Sequence, residues 1–149
     1  MTKSTSTQLA GFIAKFDPPI ARLIRSCRTA LRKRFPTAFE IVYDNYNFFV
    51  IGYCSTARAS DCVVSLAANA KGVGLSFYYG AGLPDPDKRL LGSGSQNRFI
   101  RLPTAATLAE PAVVALIAAA TAKAKVAMPA TGRGTLVIKS VSAKQRPRK

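Results

Sequence analysis

The spacing of hydrophobic positions changes twice along the chain. Leu9, Phe12, Ile13 and Phe16 recur at helical intervals, which predicts a short helix over residues 6–16. Asp17-Pro18-Pro19 then supplies an N-cap residue and a proline suited to a first helical turn, so a second helix is expected there. Its apolar side holds Ile20, Leu23, Ile24, Cys27, Ala30 and Leu31. Arg22, Arg25, Arg28, Arg32 and Lys33 fall on the other side, and Pro36 ends the helix. From Phe39 the period becomes two: Phe39, Ile41 and Tyr43 alternate with Glu40, Val42 and Asp44, the pattern of a half-buried strand. Further strands are predicted at 48–54, 62–67, 73–79 and 97–102. The irregular segment Gly80–Gly94 interrupts them before the last.

Thr107 to Glu110 has the form of a capping box and is expected to open a last helix running to about residue 126, with Val113, Leu116, Ile117 and Ala120 on one face. Residues 135–141 form a further edge-strand candidate, and the end AKQRPRK lacks an apolar anchor and is expected to be mobile. Short strands joined by short loops favour an antiparallel meander. The expected fold is therefore α+β: a five- or six-stranded antiparallel sheet with N-terminal and C-terminal helices packed on one face. Residues 1–128 are expected to form the domain and 129–149 a basic C-terminal tail.

Composition narrows the chemistry. The 149 residues are 48% hydrophobic, enough for a packed core. There is no histidine, which removes imidazole-based catalysis and His-ligated zinc. Seven acids stand against 22 basic residues, and the charge is uneven. Residues 1–35 carry eight basic residues and Asp17, residues 36–110 carry six of each sign, and residues 111–149 carry eight basic residues and no acid. Cys27, Cys54 and Cys62 include no CxxC and are read as small core residues, with a redox pair of Cys54 and Cys62 across a hairpin as the sharper alternative. No apolar run suits a signal peptide, and the most apolar stretch, Ala112–Ala122, is short of the ~20 residues of a membrane span. A soluble, cytoplasmic protein without membrane attachment is expected.

Candidate sites follow from charge and glycine. Gly92, Gly94 and Ser95 form a loop able to present backbone N–H groups to an anion, with Lys88, Arg89 and Arg98 nearby. The loop lacks the GK[ST] ending of a P-loop, and no helix starts at it as a dinucleotide fingerprint requires. In the tail, Lys139, Lys144, Arg146, Arg148 and Lys149 form a candidate phosphate-backbone contact. Several tyrosines and phenylalanines (Tyr43, Tyr46, Tyr53, Tyr78, Tyr79, Phe48, Phe49 and Phe77) sit on predicted strands and their turns. Those facing away from the helices would mark a ligand or partner surface. No nucleophile–base pair is visible, and no cofactor motif or metal site is expected.

Phe77-Tyr78-Tyr79-Gly80, Leu83-Pro84-Asp85-Pro86, Leu90-Leu91-Gly92-Ser93-Gly94 and Arg98-Phe99-Ile100 occur in an order that resembles the YdhG-like family, a bacterial group whose domain is of unknown function. Leu136-Val137-Ile138-Lys139-Ser140 and Lys144-Gln145-Arg146 are similar to it as well, and the resemblance spans roughly residues 8–125. It implies a frataxin-like α+β fold, and frataxin-like proteins are associated with iron delivery. Ser95-Gln96 stand where the resemblance leads one to expect a Gly-Lys pair. The first two helices hold only Asp17, where a frataxin-type iron surface needs acidic residues.

Together these features favour a non-enzymatic domain that binds an anionic partner: a small phosphorylated ligand, nucleic acid or an acidic protein. The alternative is an iron or metal carrier using Glu40, Asp44, Asp61, Asp85 and Asp87.

Overall fold

The computed structural model describes residues 3–149. Helix α1 spans Thr5–Ile13, and the Ser4 side chain caps it by accepting from the Thr7 N–H at 3.1 Å. Helix α2 spans Pro18–Arg34. Asp17 occupies its N-cap position without a side-chain cap bond, so the prolines rather than the carboxylate set where it starts. Four strands follow: β1 (Phe39–Asp44), β2 (Phe49–Cys54), β3 (Cys62–Asn69) and β4 (Gly72–Phe77). β5 (Arg98–Arg101), helix α3 (Pro111–Lys123) and β6 (Thr135–Val141) complete the fold. The expected capping box at Thr107 is not formed. Pro111 excludes the helical conformation at Glu110, which is extended (ψ 135°), so α3 begins at the proline after a separate 3-10 turn over Ala105–Ala109.

The six strands form one sheet in the order β5-β4-β3-β2-β1-β6. The first five pair antiparallel, as expected, but β6 lies parallel to β1. The sheet is therefore mixed. The reason is the path of α3, which carries the chain back along the sheet, so that β6 enters from the same end as β5 and runs in the same direction.

One core lies between the three helices and one face of the sheet. Leu9, Ile13, Ile24, Leu31, Val113, Leu116 and Ile117 pack there against Val42, Phe49, Ile51, Tyr53, Leu66, Leu75, Phe77 and Ile100. The other face has no helix and carries a small second cluster: Ile41, Cys54 and Cys62 beneath Phe39 and Tyr43. The period-two pattern of β1 thus holds, but its charged side is the one turned inward. Glu40, 6% exposed, and Asp44, 0% exposed, share the helix side with Val42.

Each buried acid is met by cations. Arg28 donates to both oxygens of Glu40 through Nε and Nη2 at 3.0 Å, and the Tyr53 hydroxyl adds a 2.9 Å bond. Burial, then the neighbouring carboxylate of Glu40, holds the Tyr53 phenol well above its ordinary range. Asp44 accepts from Lys15 Nζ at 2.7 Å and from Arg148 Nη2 at 2.9 Å. Arg148 is itself 5% exposed and lies 5.9 Å over the Phe16 ring, with Nε and Nη1 lacking hydrogen-bond partners.

The expected mobile end is accordingly docked. Ser142 N–H donates to the Asp44 carbonyl and Arg146 N–H to the Tyr46 carbonyl, before Arg148 enters the core. An ion pair supplies the anchor that an apolar side chain does not.

Replacing Arg148 by alanine leaves Asp44 with the half-exposed Lys15 alone and is expected to cost about 3 kcal/mol in urea unfolding. A loss within experimental error would reduce this contact to a surface interaction. Burial alone would raise the Asp44 carboxyl, but the hydrogen bonds from Lys15 and Arg148 hold it below the ordinary carboxylate range. This stability is present above the unfolded value, about 4, and is lost as pH falls through the folded one. Below pH 4 the native chain should therefore lose stability more steeply than Asp44→Asn.

Candidate nucleic-acid interface

The open face of the sheet is built from alternate strand residues. Val50 of β2, Ser65 and Ala67 of β3, Gly74 and Ser76 of β4, and Phe99 and Arg101 of β5 share it. The middle strands present only small side chains, so the face is concave. Phe48, Tyr78 and Phe99 stand around this floor. The resulting groove holds about 980 Å³, takes in Asn69, Lys71 and Asn97, and continues round the β3–β4 end of the sheet to Leu102, Pro103 and, at the start of α2, Pro19, Ile20 and Leu23. Among the described residues no acid lines it, and the two ionised side chains that do, Lys71 and Arg101, are both positive.

Side-chain size keeps this floor low. Gly74 lies so close to β5 that an added Cβ would sit 3.1 Å from the Ile100 carbonyl oxygen. Ser76 accepts no bulk either, since its hydroxyl is bound to Asn97 Oδ1 at 2.9 Å. Phe48 is 44% exposed and Tyr78 38%. Arg101 lies 6.0 Å from the Phe99 ring, so charge and π-face are presented together.

The tail reaches the same end of the sheet. The β1–β2 turn, the β3–β4 turn and the end of β5 all lie there, as the pairings of Asp44 with Phe49, Asn69 with Gly72 and Gly74 with Arg101 require. Arg146 binds Asn47 Oδ1 at 2.9 Å and lies 5.6 Å over the Tyr46 ring, two residues from Phe48. Lys139, Lys144, Arg146 and Lys149 are exposed. Arg148 is corrected out of this group, because its guanidinium is buried on Asp44.

Of the six residues of the glycine loop, Gly92, Gly94 and Arg98 lie together, while the others are directed elsewhere. Arg89 pairs with Glu110 at 3.0 Å, and Arg98 donates to the Gly94 and Asn97 carbonyls of its own loop. Lys88 takes a left-handed backbone (φ 53°), as does Gly92 (φ 111°), and the Lys88 side chain is exposed. Asp85 closes this turn by accepting from the Arg89 and Leu90 N–H groups. Ser95 instead lines a separate cavity of about 290 Å³ at the opposite end of the sheet, together with Ser55, Asp61, Cys62, Gly82 and Lys123.

The acids of the metal-carrier alternative are likewise dispersed. Glu40 and Asp44 hold separate cations, Asp61 accepts from Thr56 Oγ1 at 2.7 Å, and Asp85 caps its own loop. Among the described residues no group of three His, Cys, Asp or Glu side chains is placed to hold a metal ion.

Strand parity sorts the aromatics. Tyr53, Phe49 and Phe77, which the sequence leaves undivided from the rest, are core residues. Phe99, Lys71 and Arg101 are the groove residues that sequence reasoning did not single out. The signal for them lay in Gly74 and Ala67, whose small size on one strand face leaves room above the sheet.

Tetranitromethane should nitrate Tyr46, Tyr78 and Tyr79, which are 48%, 38% and 44% exposed, and spare Tyr53, which is fully buried, as read by peptide mapping. Early nitration of Tyr53 would contradict this division of the two faces.

Comparison of the chain with protein-family models, curated proteins and solved structures finds no match.

Proposed function

We propose that this protein is a non-catalytic binding domain whose anionic partner is single-stranded nucleic acid laid across the open face of the sheet. The observation that carries the reading is the groove that no acid lines among the described residues, with small residues on its floor, Phe48, Tyr78 and Phe99 around it, and Lys71 and Arg101 as its described charges. Bases have π-faces that stack on such rings whatever their sequence, while phosphates need only positive charge. A net charge of +15 supplies long-range attraction, and the exposed tail cations, with Arg146 on the turn that carries Phe48, extend the contact. A concave sheet face with accessible rings suits single strands better than a duplex, whose bases are already stacked.

The YdhG-like, frataxin-like resemblance rests on the sequence motifs alone; the mixed sheet with a parallel β6 differs from the all-antiparallel sheet expected from the sequence. The iron-carrier alternative draws no support from the separate pairing of Glu40 and Asp44. Among the described residues no helix is long and apolar enough to cross a membrane. The reading places the protein in the cytoplasm, where its nucleic-acid partners are available.

Fluorescence anisotropy with a labelled mixed-sequence oligonucleotide, single-stranded or duplex, tests this between about 50 and 200 mM salt. Engagement of about four phosphates gives a log–log salt slope near −3 for the single strand. Phe99→Ala and Tyr78→Ala should each weaken binding by roughly tenfold through lost stacking. Lys144→Gln with Arg146→Gln and Lys149→Gln, which spares Arg148, should flatten the slope. No binding at the lowest salt would reject nucleic acid and return attention to an acidic protein or a small phosphorylated ligand. Binding indifferent to the ring substitutions would reject the sheet face and leave the tail alone as the contact.

A further inference from the structure

Cys54 and Cys62 lie directly opposite each other where β2 and β3 pair, at a bulge that puts both on the open face. Paired positions in an antiparallel ladder hold their Cα atoms within the range a disulfide spans. Gly52 makes the space between the sulfurs. A Cβ added there would lie 3.1 Å from Cys62 Sγ and 3.5 Å from Cys54 Sγ, so both thiols flank a single vacant position.

The two thiols are not equivalent. Cys62 Sγ lies 3.1 Å from Ser65 Oγ, and hydrogen bonds, chiefly from Cys54 and then from Ser65, lower its thiol against the opposing effect of burial. The bond to Cys62, with burial, raises Cys54. Cys62 also lines the cavity of about 290 Å³ that opens beside it, room enough for a small oxidant, whereas Cys54 is 1% exposed. Cys27 lies apart in the main core, its thiol pushed up to about 11 by burial.

We propose that Cys54 and Cys62 form a reversible peroxide-driven disulfide, with Cys62 the attacking thiol and Cys54 the resolving one. The Cys62 thiolate attacks one oxygen of hydrogen peroxide, the O–O bond breaks, and sulfenic acid forms as hydroxide leaves. The Cys54 sulfur then attacks the sulfenyl sulfur. The S–O bond breaks, and the displaced hydroxide leaves as water with the Cys54 proton. Two thiols are oxidised and one peroxide is reduced to two waters. A dithiol such as dithiothreitol restores the pair by exchange. This does not depend on the nucleic-acid reading, although Ser65 also forms part of the groove floor.

The test uses the full native chain treated with hydrogen peroxide. Arg58 lies between the two cysteines, so trypsin cuts the connecting segment. The expected product is a loss of two hydrogens and a linked pair of peptides, residues 35–58 and 59–71, that dithiothreitol separates, with Cys27 unmodified. In Cys54→Ser the disulfide cannot form, and dimedone should trap a sulfenic acid on Cys62. Oxidation of Cys27 at an equal rate, or over-oxidation of Cys62 in the native chain without a linked peptide, would overturn the proposal. So would a dimedone adduct on Cys54 in Cys62→Ser forming as fast as that on Cys62 in Cys54→Ser.

Discussion

Two carboxylates buried on the helix side of β1 set the terms for much of this fold. A lone buried charge costs several kcal/mol, so each must bring a cation with it. Glu40 takes Arg28 from α2 and the Tyr53 hydroxyl from β2. Asp44 takes Lys15, just past α1, and Arg148 from the far end of the chain. One strand thereby fixes the position of both N-terminal helical segments and of the C-terminal segment. The arginines that line α2 look like a solvated face in the sequence. Arg28, at least, is spent on the interior, while Arg22 and Arg25 remain exposed.

With the helices committed to that side, the opposite face is left to small residues and peripheral rings. Its concavity follows from what the strands lack. Ala67 and Gly74 project almost nothing above the backbone, so Phe48 and Tyr78 stay exposed there and Phe99 half-exposed. The absence of acids in the groove is a local feature, because the segment 36–110 is electrically balanced overall. Its carboxylates have gone elsewhere: into the core at Glu40 and Asp44, or into loops and turns at Asp61, Asp85 and Glu110.

The helices and the first five strands were legible because their periodicity is local. Leu9 to Phe16 and Ile20 to Leu31 show a helical spacing that packing did not override. The face chosen by β1 was not legible. Phe39, Ile41 and Tyr43 are the more hydrophobic set, and only the distant cations at Lys15, Arg28 and Arg148 allow the other set to face the main core. The direction of β6 was hidden for a similar reason, since it depends on where α3 delivers the chain. Of the candidate site residues, Arg146 and Lys144 lie where phosphate contact is feasible, whereas Arg89 and Arg98 are drawn to partners within their own part of the fold, Glu110 and nearby loop carbonyls. A basic side chain looks free in a sequence until its partner is placed.

The parallel pairing of β6 with β1 has a consequence for chain association. β6 joins a strand that precedes it by almost the whole domain, and it stays there partly through an ion pair that closes a loop between residues 104 positions apart. Any opening that lifts residues 135–149 turns β1 into an edge strand, with an unsatisfied backbone and the largely hydrophobic Phe39, Ile41, Val42 and Tyr43 along it. A second molecule in the same state offers a matching β6, and exchanging it would satisfy both edges. The C-terminal segment thus acts as a guard strand, and its hold on Asp44 sets how rarely two chains meet with their edges bare.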